Sequence, residues 1–89
     1  MGVFKEIVTK KKLIEQTKGE LEVHPYYRRV DMPKPIFVKV DKLDASGKVH
    51  WTNQYTNSTL DIEDFCLVHR HLEDDDSILE AELLFEGNN

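Results

Sequence analysis

The chain has 89 residues, 39% of them hydrophobic, and a formal net charge of -5. A chain of this length can build one compact core but not two, so we expect a single domain over residues 1–89. Its longest apolar run, Phe65 to Val68, is far shorter than the roughly 20 residues that span a membrane. A lone cysteine excludes an internal disulfide and the start of the chain lacks a secretory h-region, so a cytoplasmic location is expected.

Charge is divided unevenly along the chain. Residues 61–89 hold ten acids and a single base, Arg70, whereas residues 1–60 hold eleven bases and seven acids. Two opposite electrostatic fields are therefore expected if the two segments stay apart in the fold.

The first predicted element is a helix over about residues 3–18. Val3, Ile7 and Ile14 fall on one helical stripe with Phe4 beside it, and Gly19 follows where a glycine often ends a helix. Residues 21–23 alternate with charged neighbours, which predicts a short strand that Pro25 ends.

The segment HPYYRRVDMPKP, residues 24–35, is predicted to be a loop because each of its three prolines favours extended backbone in the residue before it. Its side chains belong to types that are enriched at recognition surfaces. They make a candidate partner-binding site of Tyr26, Tyr27, Arg28, Arg29 and Met32. The alternative is that the tyrosines cover the edge of the core while the arginines are solvated.

The clearest pattern is IFVKVDKL, DASG, KVHWTNQY, which predicts a β-hairpin over about 36–43 and 48–55 with Gly47 in its turn. Pairing Leu43 with Lys48 sets the predicted register. Val40 then faces Trp51 and Ile36 faces Tyr55 on a nearly apolar face, with Asn53 at its rim.

A second helix is predicted over about 60–72. Cap residues and acids come first, an apolar stretch follows, and His69, Arg70 and His71 come last, which is the order that suits a helix and its dipole. On a helix, His69 and His71 would diverge too far to share a metal ion, whereas on a strand they would lie on one face. The helix therefore disfavours a metal site, and it disfavours a thiol-imidazole pair of Cys66 and His69, which would lie mid-helix in acidic surroundings. An extended backbone over 65–72 is the open alternative.

The run of acids at 73–76 is predicted to form an exposed turn beyond that helix. Asp74, Asp75 and Asp76 are candidate partner-binding residues in an acidic C-terminal patch. Residues 78–85 favour a helix by composition, but their apolar and acidic residues alternate, so a strand is predicted there.

These elements predict an α+β domain with a small, mostly antiparallel sheet, a central hairpin and two packed helices. A small barrel is the alternative, because the stretch from Val38 to Leu67 resembles the strand-turn-strand pattern of SH3-like and Tudor-like barrels. That resemblance covers about a third of the chain and includes no diagnostic motif.

Function is predicted from the surface residues, because the sequence contains no catalytic constellation. We expect a small non-enzymatic protein-binding module, such as a regulator, inhibitor or adaptor, with no cofactor and no membrane partner. Its acidic patch would suit a basic partner surface. The first alternative is nucleic-acid binding through the basic two thirds of the chain, and the second is a metal or thiol site at Cys66, His69 and His71.

Overall fold

Three helices and five strands follow one another along residues 2–34 and 36–87, which this computed structural model describes, with side chains described from Thr9 onward. In chain order they are α1 (Gly2–Val23), β1 (Tyr26–Arg29), β2 (Ile36–Leu43), β3 (Lys48–Thr52), β4 (Asn57–Asp61), α2 (Ile62–Val68), β5 (His69–His71) and α3 (Asp75–Glu86). All strand pairs are antiparallel, in the order β4-β3-β2-β1-β5. The α+β prediction is confirmed, and the barrel alternative is wrong because the sheet stays open.

The sheet separates two apolar cores. Helices α1 and α2 cover one face, where Trp51 and Phe65 belong to the larger cluster, while α3 covers part of the other face and packs Ala81 against Tyr26 and Leu72. The domain therefore has three layers, and the start of β1 is buried on both sides of the sheet.

Helix α1 is longer than predicted and runs through Gly19 to Val23. Leu13, Thr17 and Leu21 recur at the spacing of one helical face and pack inward, which continues the helix across the predicted strand 21–23. That strand prediction is wrong. The predicted stripe of Val3, Phe4 and Ile7 lies outside the described side chains. Among the described residues, no helix is long and apolar enough to cross a membrane.

The loop predicted for residues 24–35 contains strand β1, which pairs with β2 on one side and β5 on the other. Consecutive side chains of a strand point to opposite faces, so Tyr26 enters the α3 core and Tyr27 enters the α1/α2 core. Only a central strand between two cores can bury both tyrosines.

The hairpin of β2 and β3 is confirmed, with Val40 opposite Trp51 as predicted. A bulge between Val40 and Lys42 then shifts the register, so Leu43 faces Val49 rather than the predicted Lys48. Strand β3 ends at Thr52. In the turn that follows, the Asn53 side-chain oxygen accepts hydrogen bonds from the backbone N–H groups of Tyr55, at 2.8 Å, and Thr56, at 2.9 Å.

The single helix predicted over 60–72 is wrong, because three elements occupy that region. Strand β4 pairs with β3, Asp61 then caps the short helix α2, and the backbone becomes extended again at His69 to form β5 at the sheet edge. The extended alternative for the end of this segment is the correct one.

The strand predicted over 78–85 is also wrong, because this segment belongs to helix α3. The Asp74 carboxylate accepts a hydrogen bond from the Ser77 N–H at 3.0 Å, and Asp75 and Asp76 occupy the first turn. Acids at these positions stabilise a helix N-terminus. The acidic run therefore begins the last helix instead of forming a separate turn.

Candidate interaction surface

Two of the predicted recognition residues, Tyr26 and Tyr27, have almost no exposed surface, at 5% and 3%. The Tyr26 hydroxyl donates to Glu86 at 3.0 Å and the Tyr27 hydroxyl donates to Glu20 at 2.8 Å. Burial, with the Glu86 contact as the second cause, raises the pKa of Tyr26 to about 12. Both tyrosines are hydrogen-bonded core residues and offer no contact surface to a partner.

The two predicted arginines are separated by the pleat of β1. Arg29 binds Asp31 through its Nε at 2.6 Å, and this hydrogen bond lowers the pKa of the Asp31 carboxyl. Arg28 is exposed on the other face, directly opposite Arg70 of β5. The predicted aromatic and arginine cluster is therefore not assembled as one surface.

The acids Asp74, Asp75 and Asp76 are exposed at the start of α3. Because one caps the helix and two lie in its first turn, their presence has a structural reason independent of any partner.

The imidazoles of His69 and His71 lie on one face of β5, as expected for an extended backbone. Each of them, however, already contacts a backbone carbonyl oxygen. His69 stacks on Phe65 and its Nδ1 lies 3.0 Å from the Phe65 carbonyl oxygen, while His71 stacks on His24 and bonds the His24 carbonyl oxygen at 3.0 Å. Among the described residues, no group of three or more potential ligands could hold a metal ion.

Cys66 is half-buried on α2, and its Sγ lies 3.8 Å from the Thr17 hydroxyl of α1. Burial raises the pKa of the Cys66 thiol, which reduces its thiolate fraction near neutral pH. This environment does not favour a cysteine nucleophile.

An apolar groove of about 430 Å³ lies between the loop that follows β1 and the turn that follows β3. Its walls include Met32 and Pro33 from the loop, Ile36 from the start of β2, and Tyr55 from the turn. Tyr55 is 79% exposed, and Met32 also projects into solvent. We call this the loop groove.

A second groove, of about 420 Å³, lies between α3 and the sheet. Phe37, Leu83 and Leu84 supply its apolar lining, and Glu80 borders it. Gln54 lines this helix groove and also the loop groove, so the two are adjacent. Together they form the two-groove surface.

Sequence reasoning found Met32 in this surface but missed the rest. The alternating pattern predicts Tyr55 in a strand opposite Ile36, although the polar stretch around Asn53 indicates a turn. The alternation of residues 78–85 likewise predicts a strand for Leu83 and Leu84. Helical spacing would have shown a buried stripe of Ile78, Ala81 and Phe85 with leucines left outside it.

Comparison of the chain with protein-family models, with curated proteins and with solved structures found no match in any of the three. The class of protein is therefore defined by its own fold and surface: a three-layer α+β domain with an open antiparallel sheet and an exposed apolar surface.

Proposed function

We propose that this chain is a small non-enzymatic protein-binding module, of the kind that acts as a regulator, inhibitor or adaptor, and that it binds through the two-groove surface. The observation that carries the proposal is the clustering of exposed apolar side chains along two adjacent grooves. Single exposed apolar residues are ordinary on protein surfaces, whereas contiguous apolar patches with polar rims are typical of interaction sites.

The residue types in the surface support the same proposal. Tyr55 and Met32 belong to the types that are enriched at protein interfaces, and both project from turns that a sheet positions. Turns on a rigid scaffold can present such side chains with little loss of conformational entropy on binding.

Helix α3 adds negative charge beside the helix groove. Between Asp75 and Glu86 it carries five acids and no base. A protein partner with basic residues around an apolar centre would complement this side of the surface, because opposite charges favour encounter and orientation.

Affinity capture from a lysate of the source, with nuclease treatment, tests the proposal. The bait is the tagged chain, compared with a double variant, Tyr55→Ala with Leu83→Ala, that removes one exposed side chain from each groove. We expect the wild-type chain to retain a protein at stoichiometric yield, and the double variant to lose it.

The matched control is Leu67→Ala on α2, because Leu67 is 72% exposed and lines neither groove. This variant should retain the same protein as the wild-type chain. Equal retention by the double variant, or the absence of any retained protein, would contradict the proposal.

A further inference from the structure

The two grooves of the surface carry charges of opposite sign. Lys34 borders the loop groove, Glu80 borders the helix groove, and Gln54 is common to both. Neither Lys34 nor Glu80 has an ion-pair partner among the described residues. Both charges are therefore available to a molecule that covers the surface.

We infer that this molecule is a second copy of the chain, related to the first by a two-fold axis that passes near Gln54. The inference rests on the proposed function, because it names the partner of the same surface. A two-fold rotation near Gln54 exchanges the two grooves, so Lys34 of each copy faces Glu80 of the other. A surface whose two grooves carry opposite charges is complementary to itself under this operation.

The apolar side chains follow the same exchange. The rotation places Tyr55 of the loop groove over the lining of the partner copy's helix groove, which consists of Phe37, Leu83 and Leu84. An aromatic ring that is 79% exposed in one copy would become buried against apolar side chains. The contact occurs twice in the dimer, so each side chain contributes twice to association.

Charge also decides against the simplest other arrangement of two copies, in which the outer faces of two α3 helices meet. Each α3 carries five acids and no base, so direct contact between them would bring like charges together. In the two-fold arrangement, by contrast, Lys34 of the second copy faces Glu80 of α3.

Sedimentation equilibrium of the purified full chain, from micromolar to millimolar concentration, tests the inference. We expect a reversible monomer–dimer equilibrium. Lys34→Glu and Glu80→Lys should each weaken the dimer by about tenfold, because each places like charges opposite one another at two equivalent contacts. The combined variant restores opposite charges at both contacts and should return to within about threefold of the wild-type dissociation constant.

Tyr55→Ala should weaken the dimer by at least about thirtyfold, the loss expected for an aromatic residue central to an interface. Leu67→Ala, outside the grooves, should leave the dissociation constant unchanged. Circular dichroism checks that each variant is folded. A monomer at every concentration, or a dimer whose charge-reversal variants are not rescued by their combination, overturns the inference.

The same variants separate failure of this inference from failure of the proposed function. If the chain stays monomeric while the Tyr55→Ala and Leu83→Ala double variant loses a different protein in the capture experiment, the second-copy inference fails and the proposed function stands. If the chain stays monomeric and the double variant retains every captured protein, both fail.

Discussion

Two glycines, Gly47 and Gly19, occupy backbone positions with opposite requirements. Gly47 in the hairpin turn has a φ of 86°, and a Cβ there would lie 2.9 Å from Lys10 Cε. We expect Gly47→Ala to lower the free energy of unfolding by about 1–2 kcal/mol, because an L side chain disfavours this backbone conformation. Urea denaturation followed by circular dichroism measures the change.

Gly19→Ala is the matched substitution. Gly19 lies inside α1 and a Cβ there would meet no atom within 4 Å, so alanine should raise the free energy of unfolding by about 0.5–1 kcal/mol. If both substitutions raised the free energy of unfolding, or both lowered it, the backbone conformations described for Gly47 and Gly19 would be wrong.

At the scale of elements, α3 has one face that stabilises the fold and another that remains exposed. Phe85 stacks on Tyr26 in the smaller core, whereas Leu83, two residues earlier, is 58% exposed. We expect Phe85→Ala to lower the free energy of unfolding by about 2 kcal/mol or more, and Leu83→Ala to change it by less than about 0.5 kcal/mol. Chemical denaturation of the two variants in parallel makes the comparison.

The comparison also tests the helix itself. On the strand predicted from alternation, Leu83 and Phe85 would share one face and their substitution to alanine would have similar effects. Equal losses of stability from both variants would therefore contradict the packing of α3.

The contrast between a buried and an exposed face also explains which elements could be predicted from the sequence. The hairpin was predictable because its alternation, its turn glycine and its one apolar face all agree at Val40, Trp51 and Gly47. Helix α3 was not, because its exposed leucines supply the alternate positions of an apparent strand. Exposed leucines thus obscure the periodicity that burial alone would produce.

Strands β1 and β4 were missed for different physical reasons. In β1, Tyr26 and Tyr27 are both buried because cores lie on both faces of the sheet, so alternation is absent. In β4, residues 57–59 are polar and exposed at the sheet edge, so their pairing with β3 leaves little hydrophobic signal. The candidate surface was only partly predictable, because it depends on how the sheet brings the loop after β1 close to the turn after β3.

At the scale of the whole molecule, the fold places its most acidic element opposite its longest helix. Helix α3 lies on one face of the sheet, and α1, with its lysines, lies on the other. Several cations form ion pairs inside the molecule: Lys10 with Asp61, Arg29 with Asp31, and Lys39 with Glu86. This distribution does not favour nucleic-acid binding, which requires a concentrated basic face.

Folding favours the neutral form of two histidines, His24 and His69, because burial lowers the pKa of each. His24 follows α1 and accepts the Tyr26 N–H at Nδ1, so its Nε2 donates to the Leu72 carbonyl at 2.8 Å. Burial lowers the pKa of His24, with Glu20 and His71 as its charged or titratable neighbours. Burial likewise lowers the pKa of His69, which faces Arg29, Asp31 and Arg70.

These lowered pKa values predict that the domain loses stability in mild acid. Below about pH 6.5 the unfolded chain binds protons at these two positions that the folded chain does not, so the free energy of unfolding falls as the pH falls. Carboxyl groups whose pKa is lowered in the fold, such as Asp61 beside Lys10, add their own loss only below about pH 4. The histidine effect therefore has a pH window of its own.

Urea denaturation at a series of pH values between about 7 and 5 measures the effect, with His69→Gln as the informative variant. Glutamine keeps a hydrogen-bond donor for the Phe65 carbonyl but does not titrate, so the variant should show a shallower decline in stability than the wild-type chain, whatever its stability at neutral pH. A wild-type stability that stayed constant across this range, or a variant with an unchanged slope, would show that burial of His69 does not hold the imidazole neutral.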